Sequence, residues 1–496
     1  MLVRSALTAV LLLVLALAAG AHAPGAQAAA FIVTKTTDTN DGSCTPSDCS
    51  LREAIIAANA SPGADTIALA ADVYTLAVPG ADEDVAASGD LDITEDLSIN
   101  GAGAATTLID GGGLDRIFDI RSGMAGVSGV TMRNGLASGT YGGGTFVAAD
   151  AALVLTSSTV TGNTTDGFGG GIFNFGNATL DQSTVSDNTA GFGGGIAGDG
   201  TTTLTNTTVS GNTAGSTPSG AGGGIYNAFI SGTLTLTNST VSSNTAGNNG
   251  GGIFSGVDGT ASLKNTIVAN NTAPGGGNCS GPITSAGHNL DSGNTCGFTA
   301  AGDLINTNPQ LGPLADNDGL TQTHALPTGS PAIDVGSSDC PPPATDQRGV
   351  ARPQGSACDI GAFEVGAAPT PTPVGETLVW GDDNCSGAAD PVDSLLTLRH
   401  DAGLSTNTGD CPAMGEVVEV GNASPHPWGD IDCSGEVSPV DSLKLLRFDA
   451  GLEVAQEEGC PAIGDEIHIT ERTLPGVPPP ERHAAIRRYL CSPGPL

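Results

Sequence analysis

Positive charge is what this chain has least of. It carries 16 Lys plus Arg against 52 Asp plus Glu in 496 residues, a net charge of −36. That balance argues against nucleic acid or anionic lipid as a partner. Charged residues of both signs make up only 14% and aromatics 4%. A chain built mainly from amphipathic helices, which need charged faces, is therefore excluded. Beyond the N-terminus no run is long and apolar enough to span a bilayer. Near the C-terminus, "TLPGV" lacks the apolar-then-basic tail of a sorting signal. What is abundant is glycine, 74 residues, with 39% hydrophobic residues that recur periodically. Such a pattern excludes a disordered chain. The acid excess is compatible with calcium and a salty exterior.

Residues 1–30 read as an export leader: Arg4 supplies a basic start, "ALTAVLLLVLALAAGA" the apolar stretch, and "AQAAA" cleavage sites after Ala28 or Ala30. The expected compartment is extracellular, secreted or held at a cell surface. Eleven cysteines agree with an oxidising exterior. Pairing neighbours within one unit is the economical scheme: Cys44 with Cys49, Cys279 with Cys296, Cys340 with Cys358, Cys385 with Cys411, and Cys433 with Cys460. Cys491 is left over, either free or paired between chains.

From about residue 129 to 275 the sequence repeats itself. "STVTGNT" at 158–164 returns as "STVSDNT", "TTVSGNT", "STVSSNT" and "TIVANNT". A second element, "GGGI", ends at Ile172, Ile196, Ile225 and Ile253, with a "GGGT" forerunner ending at Thr145; the steps are 27, 24, 29 and 28 residues. Thr, Val and Ile favour strands, and no ten-residue helical pattern fits inside a period. The expected fold is all-β: a right-handed parallel β-helix whose short strands stack roughly 4.8 Å apart. Val160, Val185, Val209, Val241 and Val268 should form one interior stack and the four isoleucines another. Asn163, Asn188, Asn212, Asn244 and Asn271 should form an amide ladder at a corner.

Both ends of such a coil need covering. "CSLREAIIAAN" at 49–59 predicts an N-terminal capping helix, with Ser50 and Glu53 as a capping box. The string Cys49 to Ala54 resembles the N-terminal signature of a family of exported bacterial β-helix proteins, similar to polymorphic outer-membrane proteins, and the coil resembles the pectate-lyase-like fold. "LPTGSPAIDVG" and "DQRGVARPQGSACDIGAFE" look like the terminal segment of the same family. Asp346, Arg348, Arg352, Asp359 and Glu364 there are expected to hold a cap rather than form an active site. "GAAPTPTPVGE" at 366–376 is a Pro/Thr linker. The expected organisation is therefore leader 1–30, coil with caps 31–365, linker 366–376, a small module 377–468 and a tail 469–496.

That module is a duplication. "WGDDNCSGAADPVDSLLTLRHDAGL" returns 48 residues later as "WGDIDCSGEVSPVDSLKLLRFDAGL", each copy with one of the two tryptophans. A calcium loop presents oxygens from positions 1, 3, 5, 7, 9 and 12, with glycine at 6. Those positions hold Asp382, Asn384, Ser386, Ala388, Asp390 and Asp393 in one copy, and Asp430, Asp432, Ser434, Glu436, Ser438 and Asp441 in the other. Position 7 gives its backbone carbonyl. Two calcium ions are expected. Each loop runs into a helix where Val392, Leu395 and Leu398 match Val440, Leu443 and Leu446.

Two such loop–helix units resemble a dockerin, a small α-helical, EF-hand-like module. The resemblance implies docking onto a cohesin-like or other surface protein, with Pro391-Val392 and Pro439-Val440 in the contact zone. Cys385 and Cys433 at position 4, and serine at position 5, depart from that family.

No catalytic residue is assigned. Between residues 131 and 330 the only Lys or Arg are Arg133 and Lys264, several turns apart. Asp166, Asp181, Asp187, Asp199 and Asp258 form no pair of the kind glycoside hydrolysis needs. The aromatics near "GGGI" could line a sugar-binding face or simply pack. The expectation is a non-catalytic surface protein that binds protein or carbohydrate. The alternative is an extracellular polysaccharide lyase or glycoside hydrolase, tethered through the docking module.

Overall fold

The computed structural model describes residues 28–80, 83–138, 141–215, 219–227 and 231–366, and further on 376–383, 385, 388–389, 391–401, 414, 417–420, 426–434, 437–452, 454, 460–463 and 466–473. Most of the expected leader and Cys491 lie outside them. The chain divides into two compact units between Gly366 and Ala367.

The first unit is a coil of short strands. One ten-stranded sheet runs from Ala30–Ile32 to Thr284–Ser285, a second from Val73–Thr75 to Leu304–Ile305, and an eight-stranded sheet from Leu91–Ile93 to Cys279–Ser280. Within these sheets each strand pairs in parallel with its counterpart one turn away. The chain is a parallel β-helix, as its period predicts.

Register explains the period. Val160, Val185, Val209, Val241 and Val268 align rung by rung, and so do Ile172, Ile196, Ile225 and Ile253. A third stack, not foreseen, aligns Leu155, Leu180, Leu204, Leu236 and Leu263. All of these side chains are buried. Each contributes about 1.5–3 kcal/mol of transfer free energy, so one coil turn lined on three walls makes its own core.

The corner amides form a continuous ladder. Asn163 Nδ2 donates to Asn188 Oδ1 at 3.0 Å, Asn188 to Asn212 at 2.9 Å, Asn212 to Asn244 at 2.9 Å and Asn244 to Asn271 at 2.9 Å. Each receiving oxygen also accepts the backbone N–H of the asparagine one rung before. Asparagine is needed because buried donors and acceptors must both be met. The "GGGI" runs turn tightly against one another. Gly169 adopts φ +70°, and a Cβ on Gly170 would strike the carbonyl of Gly194.

The capping helix α1 spans Leu51–Asn59. Each residue of Cys49–Ala54 has a physical job. Cys49 bonds Cys44, Ser50 and Glu53 make the capping box, and Leu51 and Ala54 are core. Arg52 is fully buried. It pairs with Asp38 and donates to the carbonyls of Ala86, Gly89 and Asp90. The segment 83–90 is thereby tied to the helix.

The C-terminal segment of this unit was expected to close the coil end. Much of it instead lies along the outside of the valine wall. Gln347 reaches Thr184, Thr208 and Thr321, His324 meets Ser210 at 2.9 Å, and the Ala362 N–H donates to Thr240. Arg352 and Glu364 form a fully buried pair at 2.8 Å. The carboxylates of Asp346, Asp359 and Glu364 accept backbone N–H groups. Those residues therefore hold the segment, as the sequence reading expects.

Candidate metal centre

The second unit contains helix α2 (Pro391–Asp401) and helix α3 (Pro439–Asp449). It also contains an antiparallel sheet of Glu376–Val379, Glu466–Thr473, Val417–Val420 and His426–Pro427. The small α-helical module expected from the sequence thus also carries a sheet, whose last strand, Glu466–Thr473, runs past residue 468 into the supposed tail. Sparse, short alternation at 417–420 and 466–473 left little for a sequence pattern to register.

The two copies meet through equivalent residues. Trp380 and Trp428 are buried edge-to-face at 6.1 Å and 87°, packing anchors rather than sugar platforms. The Ser394 and Ser442 hydroxyls lie 3.2 Å apart. Small polar residues therefore form the seam between the helices, and the aliphatic rows face outward. Val392, Leu395, Leu398, Val440, Leu443 and Leu446 are between 41% and 57% exposed.

In the second loop, the carboxylates of Asp430, Asp432 and Asp441 offer oxygens all within 4.8 Å of one another. Among the described residues this is the one group of three acids gathered so closely. Asp430 and Asp441 are buried and Asp432 half-buried. Local hydrogen bonds shape the turn. Ser434 N–H donates to Asp430 at 2.9 Å, Asp432 N–H to Asp441 at 2.9 Å, and Ser438 N–H to Asp441 at 2.8 Å. Ser438 caps α3. Lys444 lies 3.9 Å from Asp432. Burial pushes the Asp441 carboxyl above the usual carboxylate range, and the nearby Asp432 charge adds to this against the opposing hydrogen bonds. A largely buried, oxygen-only set gathered this closely fits a hard divalent cation. Glu436 lies outside the described residues.

In the first loop Asp382 and Asp393 are buried and Ala388 is exposed. Asn384, Ser386 and Asp390 lie outside the described residues. One acid was missed by sequence reasoning. Asp383, at loop position 2, is buried, and its carboxyl is pushed up to about 8, by burial first and then by Asp393, Asp382 and Asp441; a hydrogen bond from Thr397 opposes the rise. The signal was present, since the other copy has buried Ile431 at that place.

Cys433 bonds Cys460, and Cys385 is also disulfide-bonded. Cys411 lies outside the described residues. In the first unit Cys279 bonds Cys296 and Cys340 bonds Cys358. Cys385 and Cys433 both hold left-handed backbone, φ +55° and +58°, a conformation that costs a non-glycine residue about 1–2 kcal/mol. The disulfides pin it there.

The coil offers a second surface. In register along the outside of one wall stand Asp92, Asp119, Phe146, Phe173, Ala197, Tyr226 and Phe254. The acids sit with Asp90 beside Arg116 and Arg121, at 3.3 Å for Asp90–Arg116 and 3.2 Å for Asp119–Arg121. This acid–cation group precedes residue 131, upstream of the repeats where a sequence search for paired acids concentrates. Asp90, Asp92 and Asp119 are buried. Of the aromatics, Tyr226 and Phe254 stack at 5.1 Å and 9°, and Phe168 and Phe192 at 4.9 Å and 15°. Those rings cover much of one another's faces, leaving less free ring face for a sugar. Arg133 pairs with Asp110 and Lys264 with Asp339, so both are engaged.

No helix among the described residues is long and apolar enough to cross a membrane. No family model matches the sequence, and no curated protein matches it. Among solved structures, a crystal structure of pectate lyase Pel9A is similar at 15% identity and a TM-score of 0.39, over 68% of this chain and 97% of that one.

Proposed function

We propose that this chain is an exported, non-catalytic β-helix protein whose C-terminal module binds two calcium ions and docks onto a partner protein. The observation that carries this reading is the serine seam between α2 and α3 together with the aliphatic row that each helix exposes. Ser394 and Ser442 fill the seam while six aliphatic side chains stand in solvent beside the acidic loops. Paired aliphatic faces of this kind favour association, and calcium would fix the helix starts from which they project. In keeping with the dockerin resemblance, the partner is a cohesin-like or other surface protein. The experiment is capture by the full chain from the secreted proteins of its source, with calcium and with chelator. A partner retained only with calcium supports the reading, and one retained equally in both overturns calcium-dependent docking.

A second reading, a polysaccharide lyase or glycoside hydrolase, draws on the column of Asp92 and Asp119 running into Phe146 and Phe173. Burial of those acids beside Arg116 and Arg121 favours a structural role. Sustained product release from pectin, alginate or xylan would reverse this ranking.

A further inference from the structure

A buried acid near the N-terminus has half of its hydrogen-bonding capacity unused. Asp65 opens the strand Asp65–Ala68 and is 1% exposed. Its Oδ1 accepts the Ala29 N–H at 2.6 Å, with the Ser61 hydroxyl at 3.5 Å. Its Oδ2 is buried and has no hydrogen-bond partner. No basic side chain among the described residues pairs with it. A buried carboxylate left in this state is costly. Ala29 itself is fixed, because its carbonyl accepts the Thr66 N–H at 2.9 Å and Ala30 pairs with Thr66 in the first strand.

We propose that Asp65 is the receptor for a new α-ammonium group created at Ala29 when the leader is cut after Ala28. Ala26-Gln27-Ala28 and Ala28-Ala29-Ala30 both satisfy the small-x-small rule for an export peptidase. The fold separates them. A cut after Ala30 would remove Ala29, the Asp65 donor, and Ala30, the first residue of the coil's first strand. A cut after Ala28 removes neither. Hydrolysis of the Ala28–Ala29 bond consumes one water, leaves a carboxylate on Ala28, and frees the Ala29 nitrogen as an amine that takes up a proton. An α-amino group has an ordinary pKa of about 7.7–8.0. The amide that offered one N–H becomes an ammonium with three, enough for Oδ1 and Oδ2 together, and the acid gains its countercharge. Processing thereby locks the first rung, so the mature chain is more stable than the precursor.

The test begins with export of the full-length protein from a bacterial host and N-terminal sequencing of the secreted chain. We expect Ala-Ala-Phe, starting at Ala29. A start at Phe31 overturns the proposal. Mature chain starting at Ala29 is then compared with the same chain acetylated at that amine, which keeps one N–H and removes the charge. We expect the acetylated form to melt roughly 2–4 °C lower, and Asp65→Asn to abolish the difference. Identical melting of the free and acetylated forms of the native sequence overturns the proposal without need of any substitution.

Discussion

Ser394 and Ser442, 48 residues apart, touch hydroxyl to hydroxyl at 3.2 Å, and Ser442 also donates to the Ser394 carbonyl at 2.9 Å. That spacing is the repeat itself, so each copy of the duplicated module meets its own counterpart. Replacing Ser394 with Leu would put a large side chain into the seam and separate the helices. We expect a loss of about 1–3 kcal/mol, measurable by denaturant unfolding with the coil transition unchanged.

The aliphatic rows facing solvent make a cleaner mutational target. Leu395→Asp with Leu443→Asp should leave folding within about 0.5 kcal/mol of native, as exposed substitutions do. Partner capture should fall by at least tenfold while metal binding is kept. Unchanged capture by the double variant would remove these rows from the docking face.

Asn212 sits mid-ladder, accepting from Asn188 N and Nδ2 and donating to Asn244 Oδ1 and the Val185 carbonyl. Asn212→Ala strands several buried groups at about 1–3 kcal/mol each. We expect a loss of at least about 3 kcal/mol, read by denaturant unfolding of the coil. Val154→Ala, on the half-buried outer side of the leucine wall, should cost far less.

The acid–cation group at Asp90 and Asp92 and the capping-box Glu53 give stability a pH dependence with two opposed signs. Burial, with Asp115 and Asp92 nearby, pushes Asp90 up to about 8, and burial pushes Asp92 up to about 6. An unfolded carboxyl titrates near about 3.9. Between these values the folded chain holds more protons at these two acids than the unfolded one, so their contribution to stability is full below about pH 4 and falls as pH rises toward 8. Asp90→Asn should flatten that decline. Burial would also raise Glu53, but the amides of Ser50 and Asp41 and the Lys35 ammonium outweigh it and hold the carboxyl at about 2. Its contribution is present above about pH 4.3 and is lost as pH falls toward 2. Melting temperatures across this range, native against Asp90→Asn, check both limbs.

The coil was legible in the sequence because stacking forces repetition. Val160 and Val185 occupy one wall position a turn apart, so composition and period are two views of one contact. The leucine stack was harder to see, since its turns read "LVLT", "ATLD" and "TTLT" with no shared motif. The side-lying C-terminal segment was illegible as such. Gln347 seats itself among threonines supplied by three separate parts of the chain, which no local pattern encodes. The acid–cation group at Asp90, Asp92 and Asp119 escaped for a similar reason, being assembled from successive turns before the repeat becomes regular. In the second loop, by contrast, Asp430, Asp432 and Asp441 lie within one short segment, and their convergence follows from spacing. Asp383 shows the limit of reading by duplication, because it stands at one of the places where the two copies differ, opposite Ile431.

Calorimetric titration of the calcium-free full chain, followed also by tryptophan fluorescence, tests the metal centre most directly. Trp380 and Trp428 each lie two residues before a loop's first acid. We expect two ions per chain, falling to one in Asp430→Asn/Asp441→Asn. Absence of heat and an unchanged tryptophan signal in the native chain would contradict calcium binding and, with it, the calcium-dependent docking of this module.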